Sequence, residues 1–333
     1  MKDSRLLVSI VCPFFNESDN VQAFYQALTP ELQRLPDYRF EVVCVDDGSQ
    51  DDTLRKLLHI TQTDDRIKVL ELTRNFGKEA ALSAGLEAAE GDLIITIDAD
   101  LQDPLSLLGQ LLQAWEESEV DVVLAKRSHR RHDTFIKRTT ARAYYKLHNC
   151  LSPVKIPVDV GDCRLMTRQV IQALLLLPET QRFMKGLFAW VGFKTKTIEY
   201  GREPRAHGNS NFSWWRLWNF GIEGITSFST TPLRVWTYIG ITGALFSLAF
   251  GGWVVLRTFL YGTDVPGYAS VFVAILFLGS LQLIGLGVLG EYVGRLFLES
   301  KRRPSYLVRR IHTRDANASN LAEEASQKPQ IIG

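Results

Sequence analysis

The sequence predicts an α/β fold, with a mostly parallel β-sheet domain followed by two apolar helices. From residue 1 to about residue 205, short apolar runs alternate with stretches of helical spacing. That alternation is typical of parallel strands joined by crossover helices, which cover both faces of the sheet. Beyond Pro232, residues 235–256 and 270–290 contain no charged side chain, and each stretch is long enough for one membrane crossing of about 20 residues.

The first part of the chain divides into five predicted strands and four predicted helices. The strands are residues 6–12, 40–45, 67–72, 93–97 and 120–125. The helices are residues 18–32, 52–60, 78–89 and 105–117. Ligands of such sheets bind beyond the carboxyl ends of the strands, so the polar residues that follow each strand are the candidates for function.

Composition narrows the class of protein. Hydrophobic residues make up 46% of the 333 residues, which allows a large core, and the net charge of +1 argues against a nucleic-acid-binding protein. None of the four cysteines forms a CxxC pair, and Cys12 and Cys44 lie in strand-like runs. We therefore expect buried, reduced thiols rather than disulfides or a metal site. No cleavable signal peptide is visible at the N-terminus.

The two apolar stretches predict a membrane hairpin, with a pair of buried core helices as the alternative. Most of the basic residues flank the two ends of the hairpin, whereas its connecting loop holds only Arg257 and Asp264 as charged residues, which predicts that both chain ends face the cytoplasm. The flanking basic residues are Arg234, Lys301, Arg302, Arg303, Arg309 and Arg310. We divide the chain into an α/β domain (1–205), a juxtamembrane segment (206–232), two transmembrane helices (233–298) and a basic, then disordered, tail (299–333).

Residues 211–229 form an amphipathic segment. Three tryptophans and most of the other apolar side chains fall on one side at helical spacing, and Arg216 and Glu223 fall on the other. Beside a membrane span, this pattern predicts a helix lying in the interface, the alternative being a helix packed on the soluble domain.

The strongest chemical signal is the run from Asp98 to Pro104 after the fourth strand. In an extended segment, Asp98, Asp100 and Gln102 would point the same way, and hard oxygen ligands suit Mg²⁺ or Mn²⁺. The alternative is an Asp-rich turn that caps the next helix, with Asp103 as the N-cap. Acidic residues also follow the first and second strands, at Glu17 and at Asp46. Three acidic loops at one edge predict a site for a nucleotide and a cation.

The motifs themselves resemble the family 2 glycosyltransferases with the GT-A (Rossmann-like) fold. The residues that carry the resemblance are "VSIVCPFFNE", "VDDGSQDDT", "RNFGKEAALSAGL", "GDLIITIDADLQDP", "VGDCRLMTR", "FMKGLFAWVG" and "LIGLGVLGEYVGR". Within that family the chain is most similar to bactoprenol (undecaprenyl phosphate) glucosyltransferases, which carry a two-helix membrane anchor. The resemblance covers about residues 7–310.

The resemblance implies roles for individual residues. By position, the nucleotide-sugar site would comprise Pro13, Phe15, Glu17, Asp46, Asp98, Ala99 and Gln102. The metal would be held by Asp98, Asp100 and Gln102, and the catalytic residues would be Asp100, Asp162 and Arg127. The acceptor phosphate would contact Arg164, Arg205 and Ser210.

One loop departs from the family pattern. Where the family commonly has a lysine after Ser or Thr, this chain has Asn211 between Ser210 and Phe212. Arg205, His207 or Arg216 would have to compensate. The basic run from Lys126 to Lys146 is a second candidate for an anionic lipid head, or else a solvated helix face.

The resemblance implies a reaction in which a sugar, glucose in first place, passes with inversion from a UDP-sugar to undecaprenyl phosphate at the cytoplasmic face of the bacterial inner membrane. Mannose, galactose or 4-amino-arabinose would use the same motifs. A phosphate acceptor already carries a charge of about −1.5 to −2, so we interpret Asp162 as an orienting group first and a base second. The product would serve O-antigen or lipopolysaccharide modification, with a flippase and a periplasmic transferase as downstream partners. The oligomeric state, including a homo-oligomer, is left open.

Two other functions compete. A processive polysaccharide synthase would carry a Gln-x-x-Arg-Trp motif and more spans, and the sequence has neither. A noncatalytic membrane sensor or translocator would not require Asp46, Asp98, Asp100 and Gln102 to be intact.

Overall fold

The computed structural model describes residues 5–127, 155, 160–179, 182–201, 231–261 and 267–314. These residues fall into two compact units, one holding the sheet and one holding two long helices. The strands of the first unit are β1 (Leu7–Phe14), β2 (Arg39–Asp46), β3 (Ile67–Leu72), β4 (Leu93–Thr96), β5 (Val122–Arg127), β6 (Val160–Thr167), β7 (Thr195–Tyr200) and β8 (Val308–His312). Its helices are α1 (Ser18–Gln33), α2 (Thr53–Thr61), α3 (Lys78–Ala88), α4 (Leu107–Glu116), α5 (Arg168–Leu175) and α6 (Met184–Trp190).

The eight strands form one sheet in the order β7-β5-β6-β4-β1-β2-β3-β8. The pairs β1/β2, β1/β4, β2/β3 and β5/β7 are parallel. The pairs β4/β6, β5/β6 and β3/β8 are antiparallel. The predicted mostly parallel α/β sheet is therefore confirmed, while the antiparallel insertion of β6 and the edge strand β8 were not anticipated.

The main core lies on the face covered by α1, α2 and α4. Phe14 of β1 meets Phe24 of α1 edge-on, with ring centroids 5.6 Å apart. Both side chains are at most 3% exposed. Large apolar side chains on helical and alternating spacing thus bury one side of the sheet, as the periodicity of the sequence requires.

On the opposite face, α3 lies unusually close to the sheet. A Cβ atom added at Gly85 would lie 2.3 Å from Cγ1 of Val11 and 3.0 Å from Cγ2 of Val45. Only glycine fits there without displacing the strands. This close approach fixes the position of Lys78, the first residue of α3, relative to the ends of β1 and β2.

The second unit contains α7 (Thr231–Tyr261) and α8 (Tyr268–Ser300), with 31 and 33 residues. The two helices approach closely at Gly285, where an added Cβ would overlap the indole of Trp236. Many of their large apolar side chains are exposed, among them Phe246, Phe259, Phe277 and Leu283. Within the described residues, one stretch, Phe277–Ser300, is long and apolar enough to cross a membrane.

Candidate active site

The candidate site lies at the carboxyl ends of β1, β2 and β4. These strands are parallel, and Phe14 at the end of β1 pairs with Asp46 at the end of β2. The segment that follows β4 brings Asp98 to the same edge. The sequence placed these three loops together because parallel strands end at one edge, and the structure confirms that placement.

Asp46 is buried, with only 1% of its surface exposed. One carboxylate oxygen accepts a hydrogen bond from the backbone N–H of Ser49 at 3.2 Å. Among the described residues, the other oxygen has no hydrogen-bond partner. Burial raises the pKa of Asp46, while the hydrogen bonds from Ser49 act against that shift. A buried acceptor without a donor is suited to a ligand that brings an N–H or O–H group.

The neighbouring Asp47 has a structural role. Its carboxylate accepts hydrogen bonds from the backbone N–H groups of Phe76 and Gly77, at 2.7 and 2.9 Å. Gly48 follows with φ of 66°, and an added Cβ there would lie 2.4 Å from the backbone of Arg74. Asp47 and Gly48 thus hold the loop after β2 against the loop before α3.

The loop after β1 is arranged by its own hydrogen bonds. Pro13 lies in β1, and Phe15 is exposed, with 42% of its surface accessible. Asn16 has a positive φ of 52°. The backbone N–H of Glu17 donates to Oγ1 of Thr53 at 2.9 Å, and the Glu17 carboxylate accepts from the side chain of Asn20. The exposed Phe15 ring therefore lies at the same edge of the sheet as the buried Asp46.

The expected alternation of Asp98, Asp100 and Gln102 along one strand face is wrong. Strand β4 ends at Thr96, and a turn follows in which Leu101 has φ of 55°. Oδ1 of Asp100 accepts the backbone N–H of Gln102 at 3.2 Å, an Asx-type bond that stabilises the turn. Gln102 and Ala99 are buried, whereas Asp98 and Asp100 are partly exposed.

Lys78 joins two of the predicted site residues. Its Nζ contacts Oδ1 of Asp98 at 2.7 Å and Oδ2 of Asp162 at 2.6 Å. Asp162 is also 3.4 Å from Nζ of Lys185, at the start of α6. Although burial opposes both shifts, these contacts raise the pKa of Lys78 and hold the pKa of Asp162 well below its usual range. Lys78 is thus an ammonium and Asp162 a carboxylate at neutral pH.

The position of Asp162 follows from the antiparallel strand β6. Thr96 pairs with Arg164 across β4 and β6, and Oγ1 of Thr96 donates to the backbone carbonyl of Asp162 at 2.6 Å. This bond places the Asp162 side chain next to the turn that carries Asp98. A residue more than 60 positions along the chain therefore completes the site.

Arg164 lies in the interior rather than at the surface of the site. It is 3% exposed, and its guanidinium lies 3.9 Å from the centroid of the Phe188 ring and donates to the carbonyl of Gly161 at 3.1 Å. Burial lowers the pKa of Arg164, against the raising influence of Asp162. This placement does not favour the expected contact with an acceptor phosphate.

Several predicted residues lie wholly or partly outside the described residues. Arg127 ends β5. Arg205, His207, Ser210, Asn211 and Arg216 are outside the described residues, as are the amphipathic segment 211–229, most of the basic run 126–146 and the tail beyond residue 314.

Sequence reasoning did not single out Lys78, Glu79 or Lys185. Burial raises the pKa of Glu79 to about 7, with a further contribution from Asp162. A signal for these residues existed, because "RNFGKEAALSAGL" follows β3 and "FMKGLFAWVG" starts α6. The predicted strands did not include β6, so Asp162 could not be placed beside Lys78, Glu79 and Lys185.

The carboxylates of the turn after β4 suit a divalent cation whose remaining ligands come from a substrate and from water. Within the described residues there is no group of three or more His, Cys, Asp or Glu side chains that could hold a metal alone. Mg²⁺ commonly uses only one or two carboxylates, and substrate phosphates and water complete its shell. Asp98 and Asp100 supply that number, and Asp98 already attracts a cation in the form of the Lys78 ammonium.

Comparisons with known proteins bear on the whole chain. The sequence profile described as "Glycosyl transferase family 2" matches residues 9–175. An uncharacterized glycosyltransferase of Synechocystis sp. is 49% identical over 90% of this chain and 94% of its own length. The bactoprenol glucosyl transferase of Shigella phage SfII is 49% identical over 92% of this chain and 98% of its own length. A prophage bactoprenol glucosyl transferase homolog of Escherichia coli K12 is 48% identical over 91% and 99%.

Among solved structures, glucosyl-3-phosphoglycerate synthase from Mycobacterium tuberculosis, in complex with Mn²⁺, UDP and phosphoglyceric acid, matches with a TM-score of 0.48. The identity is 20%, over 69% of this chain and 78% of that chain. This likeness concerns the outline of the fold and carries no statement about ligands.

Proposed function

We propose a function for this chain on one premise: the chain belongs to glycosyl transferase family 2, and it is a glycosyltransferase. Its reaction is the transfer of glucose from UDP-glucose to a polyprenyl phosphate such as bactoprenol phosphate. The observation that carries this proposal is the 49% identity, over 92% of the chain, with a relative named bactoprenol glucosyl transferase. The geometry of the site supports it at both the donor end and the acceptor end.

At the donor end, the nucleoside binds along the carboxyl edge of β1 and β2. The buried Asp46 oxygen that lacks a partner among the described residues accepts a hydrogen bond from the uracil or the ribose. The exposed Phe15 ring offers a face for stacking, and Pro13 and Glu17 shape the same loop. A base placed there satisfies a polar group that is otherwise costly to bury.

The donor diphosphate lies against the turn after β4. Asp98 and Asp100 would hold a divalent cation, Mg²⁺ or Mn²⁺, and Ala99 and Gln102 are buried in the same turn. A cation bound there neutralises the charge of the departing UDP. The protein's own contribution is to place two carboxylates on a turn that Asp100 itself stabilises.

At the acceptor end, a phosphate oxygen attacks the anomeric carbon and inverts it. Because this nucleophile is already charged, it needs little help from a general base. Asp162 is paired with Lys78 and Lys185 and has a lowered pKa, which makes it a weak base and a good orienting group. Arg127, Arg205 and Ser210 contribute further contacts to phosphate groups in this proposal.

The membrane part of the proposal rests on α7 and α8. Both helices exceed the length needed to cross a bilayer of about 30 Å, and both expose large apolar side chains. We propose that they form a two-helix anchor in the bacterial inner membrane, with the catalytic domain in the cytoplasm. The glycolipid would then be flipped and used for modification of O-antigen or lipopolysaccharide.

One experiment tests the reaction directly. Membranes containing the protein are supplied with undecaprenyl phosphate, Mg²⁺ or Mn²⁺, and a panel of labelled nucleotide sugars. We expect a labelled glycolipid with UDP-glucose and little with UDP-galactose, GDP-mannose or UDP-4-amino-arabinose. Nucleotide binding with no glycolipid from any donor would refute the proposal and favour a sensor.

A further inference from the structure

The acceptor side of the site contains two lysines that the proposed function leaves without a role. Nζ of Lys78 lies 2.6 Å from Oδ2 of Asp162, and Nζ of Lys185 lies 3.4 Å from Oδ1 of the same carboxylate. The side chains of these lysines are 46% and 28% exposed. Two partly exposed lysine side chains therefore meet at one carboxylate.

The lysine pair is better placed for a phosphate than the arginine that the sequence favoured. Arg164 is 3% exposed and its guanidinium lies against the Phe188 ring, so little of its surface is accessible to a lipid phosphate. Lys78 and Lys185 have their charged ends at the partly exposed Asp162. An ammonium group is a compact donor that binds phosphate as a point charge.

The charges of the cluster favour a dianion. Lys78 is shared between Asp98, on the donor side, and Asp162. If Asp98 serves the donor's cation, the carboxyls left beside Lys78 and Lys185 are those of Asp162 and Glu79, and burial favours the neutral form of Glu79 by raising its pKa to about 7. The local charge is then positive, which complements a phosphate monoester of about −1.5 to −2.

We propose that Lys78 and Lys185 form the seat for the phosphate of the polyprenyl acceptor, with Asp162 as the positioning residue between them. This inference rests on the proposed function, since it names the residues that take that function's acceptor. Lys78 contacts both Asp98 and Asp162, so it places the acceptor phosphate next to the donor. Asp162 keeps the two ammonium groups together before the acceptor arrives.

The helices that carry the two lysines are linked to each other. Oγ of Ser83, in α3, lies 3.7 Å from Sδ of Met184, the residue before Lys185. Glu79, next to Lys78, is hydrogen-bonded to the backbone of Met184. The separation of the two lysines is thus set by contacts between α3 and α6, not by Asp162 alone.

The test separates acceptor binding from donor binding. In Lys185→Met, loss of one charge-assisted contact should raise the KM for undecaprenyl phosphate roughly tenfold to a hundredfold. The KM for UDP-glucose and the Kd for UDP should change by less than about twofold, since Lys185 pairs with Asp162 and, within the described part of the chain, with neither Asp46 nor Asp98. Lys185→Arg should recover part of the acceptor affinity. Lys196→Met is the matched control, because Lys196 is similarly exposed but pairs with Glu117.

A double substitution excludes a purely structural role. If Lys185 only steadies Asp162, the effect of Lys185→Met should vanish in an Asp162→Asn background, whereas a phosphate seat predicts that acceptor KM still rises. An unchanged acceptor KM, or a rise confined to the KM for UDP-glucose, would overturn the seat and assign the lysines to the donor diphosphate. A wild-type protein that forms no glycolipid would instead refute the proposed function. Thermal unfolding of each variant checks that it is folded.

Discussion

Asp100 has two roles that a single substitution can separate. Its Oδ1 accepts the backbone N–H of Gln102 and stabilises the turn, and in the proposed reaction its negative charge holds the donor's cation. Asparagine keeps the accepting oxygen and removes the charge. We therefore predict that Asp100→Asn folds normally and loses turnover by roughly a hundredfold or more, measured as glycolipid formed in membranes.

The matched control for Asp100 is Asp92, near the opposite end of β4. Its Oδ2 accepts the backbone N–H of Leu7 at 2.9 Å, so it too is an exposed aspartate that caps a backbone group. Asp92→Asn should retain wild-type turnover. Near-normal activity of Asp100→Asn would contradict the assignment of the site, and loss of activity in both variants would indicate a general folding effect.

The raised pKa of Glu79 predicts that the stability of the protein depends on pH. Burial, with a contribution from Asp162, raises its pKa from 4.5 to about 7. The folded protein therefore favours the protonated form, and this contribution to stability is complete below pH 4.5 and is lost as the pH rises towards 7. Glu79→Gln imitates the protonated carboxyl, so its melting temperature relative to wild type should rise between pH 5 and pH 8.

The measurement for Glu79 is thermal unfolding in detergent across that pH range. Glu90→Gln is a control of opposite sign, because a hydrogen bond from Lys68 lowers the pKa of Glu90. It should give no stabilisation at pH 8. A pH-independent difference between Glu79→Gln and wild type would contradict the raised pKa.

At the scale of elements, apolar periodicity predicted the first half of the sheet and little of the second. The predicted strand 67–72 is observed as Ile67–Leu72, and the ends of the other four predicted strands lie within two residues of the observed ends. Most of them are nearly continuous apolar runs, as expected for strands buried on both faces, whereas Ile67–Leu72 includes the partly exposed Lys68 and Glu71. Strand β6 lacks such a run, because Asp162 and Arg164 interrupt it. Missing β6 meant missing the position of Asp162.

Strand β8 was equally hidden, since its sequence VRRIH looks like a basic tail. Strand β8 pairs with β3, and two of its charged or titratable side chains contact Glu71 of that strand. Arg309 lies 2.9 Å from Glu71, and His312 lies 3.2 Å from the other oxygen of the same carboxylate. Cross-strand charge pairs of this kind are invisible until the register is known.

Removal of β8 should therefore weaken the sheet. Truncation after residue 303 removes the ladder to β3, the bond from Tyr306 to Glu87 and the contact of Arg314 with Asp65. We expect a loss of about 2 kcal/mol or more in unfolding free energy, mainly from backbone hydrogen bonds, and aggregation through the exposed edge of β3. Truncation after residue 314 keeps β8 and is the control. Equal melting temperatures for both truncations would show that β8 adds no stability.

At the scale of the whole molecule, the sequence joins a family 2 glycosyltransferase sheet to two long apolar helices. Many large apolar side chains of α7 and α8 are exposed, and contiguous apolar patches above a few hundred Å² usually mark a contact with lipid or protein. The proposed acceptor, a polyprenyl phosphate, resides in a bilayer, so the proposed anchor would keep the transferase close to it. This relation between acceptor and anchor makes membrane topology the decisive test at this scale.

The two-helix anchor predicts that the loop between α7 and α8 and the chain end lie on opposite sides of the membrane. Cys12, Cys44 and Cys163 are buried and should give little background in a labelling experiment, and the fourth native cysteine is removed by Cys150→Ser. A cysteine introduced at Thr263 should react with a membrane-impermeant maleimide in cells whose outer membrane has been opened and whose inner membrane is intact. A cysteine at Ser319 should react only after the inner membrane is permeabilised, because the positive-inside rule keeps the basic flank in the cytoplasm. Protection at both positions in intact cells would contradict a hairpin that crosses the bilayer and favour helices that lie along the surface or pack against protein.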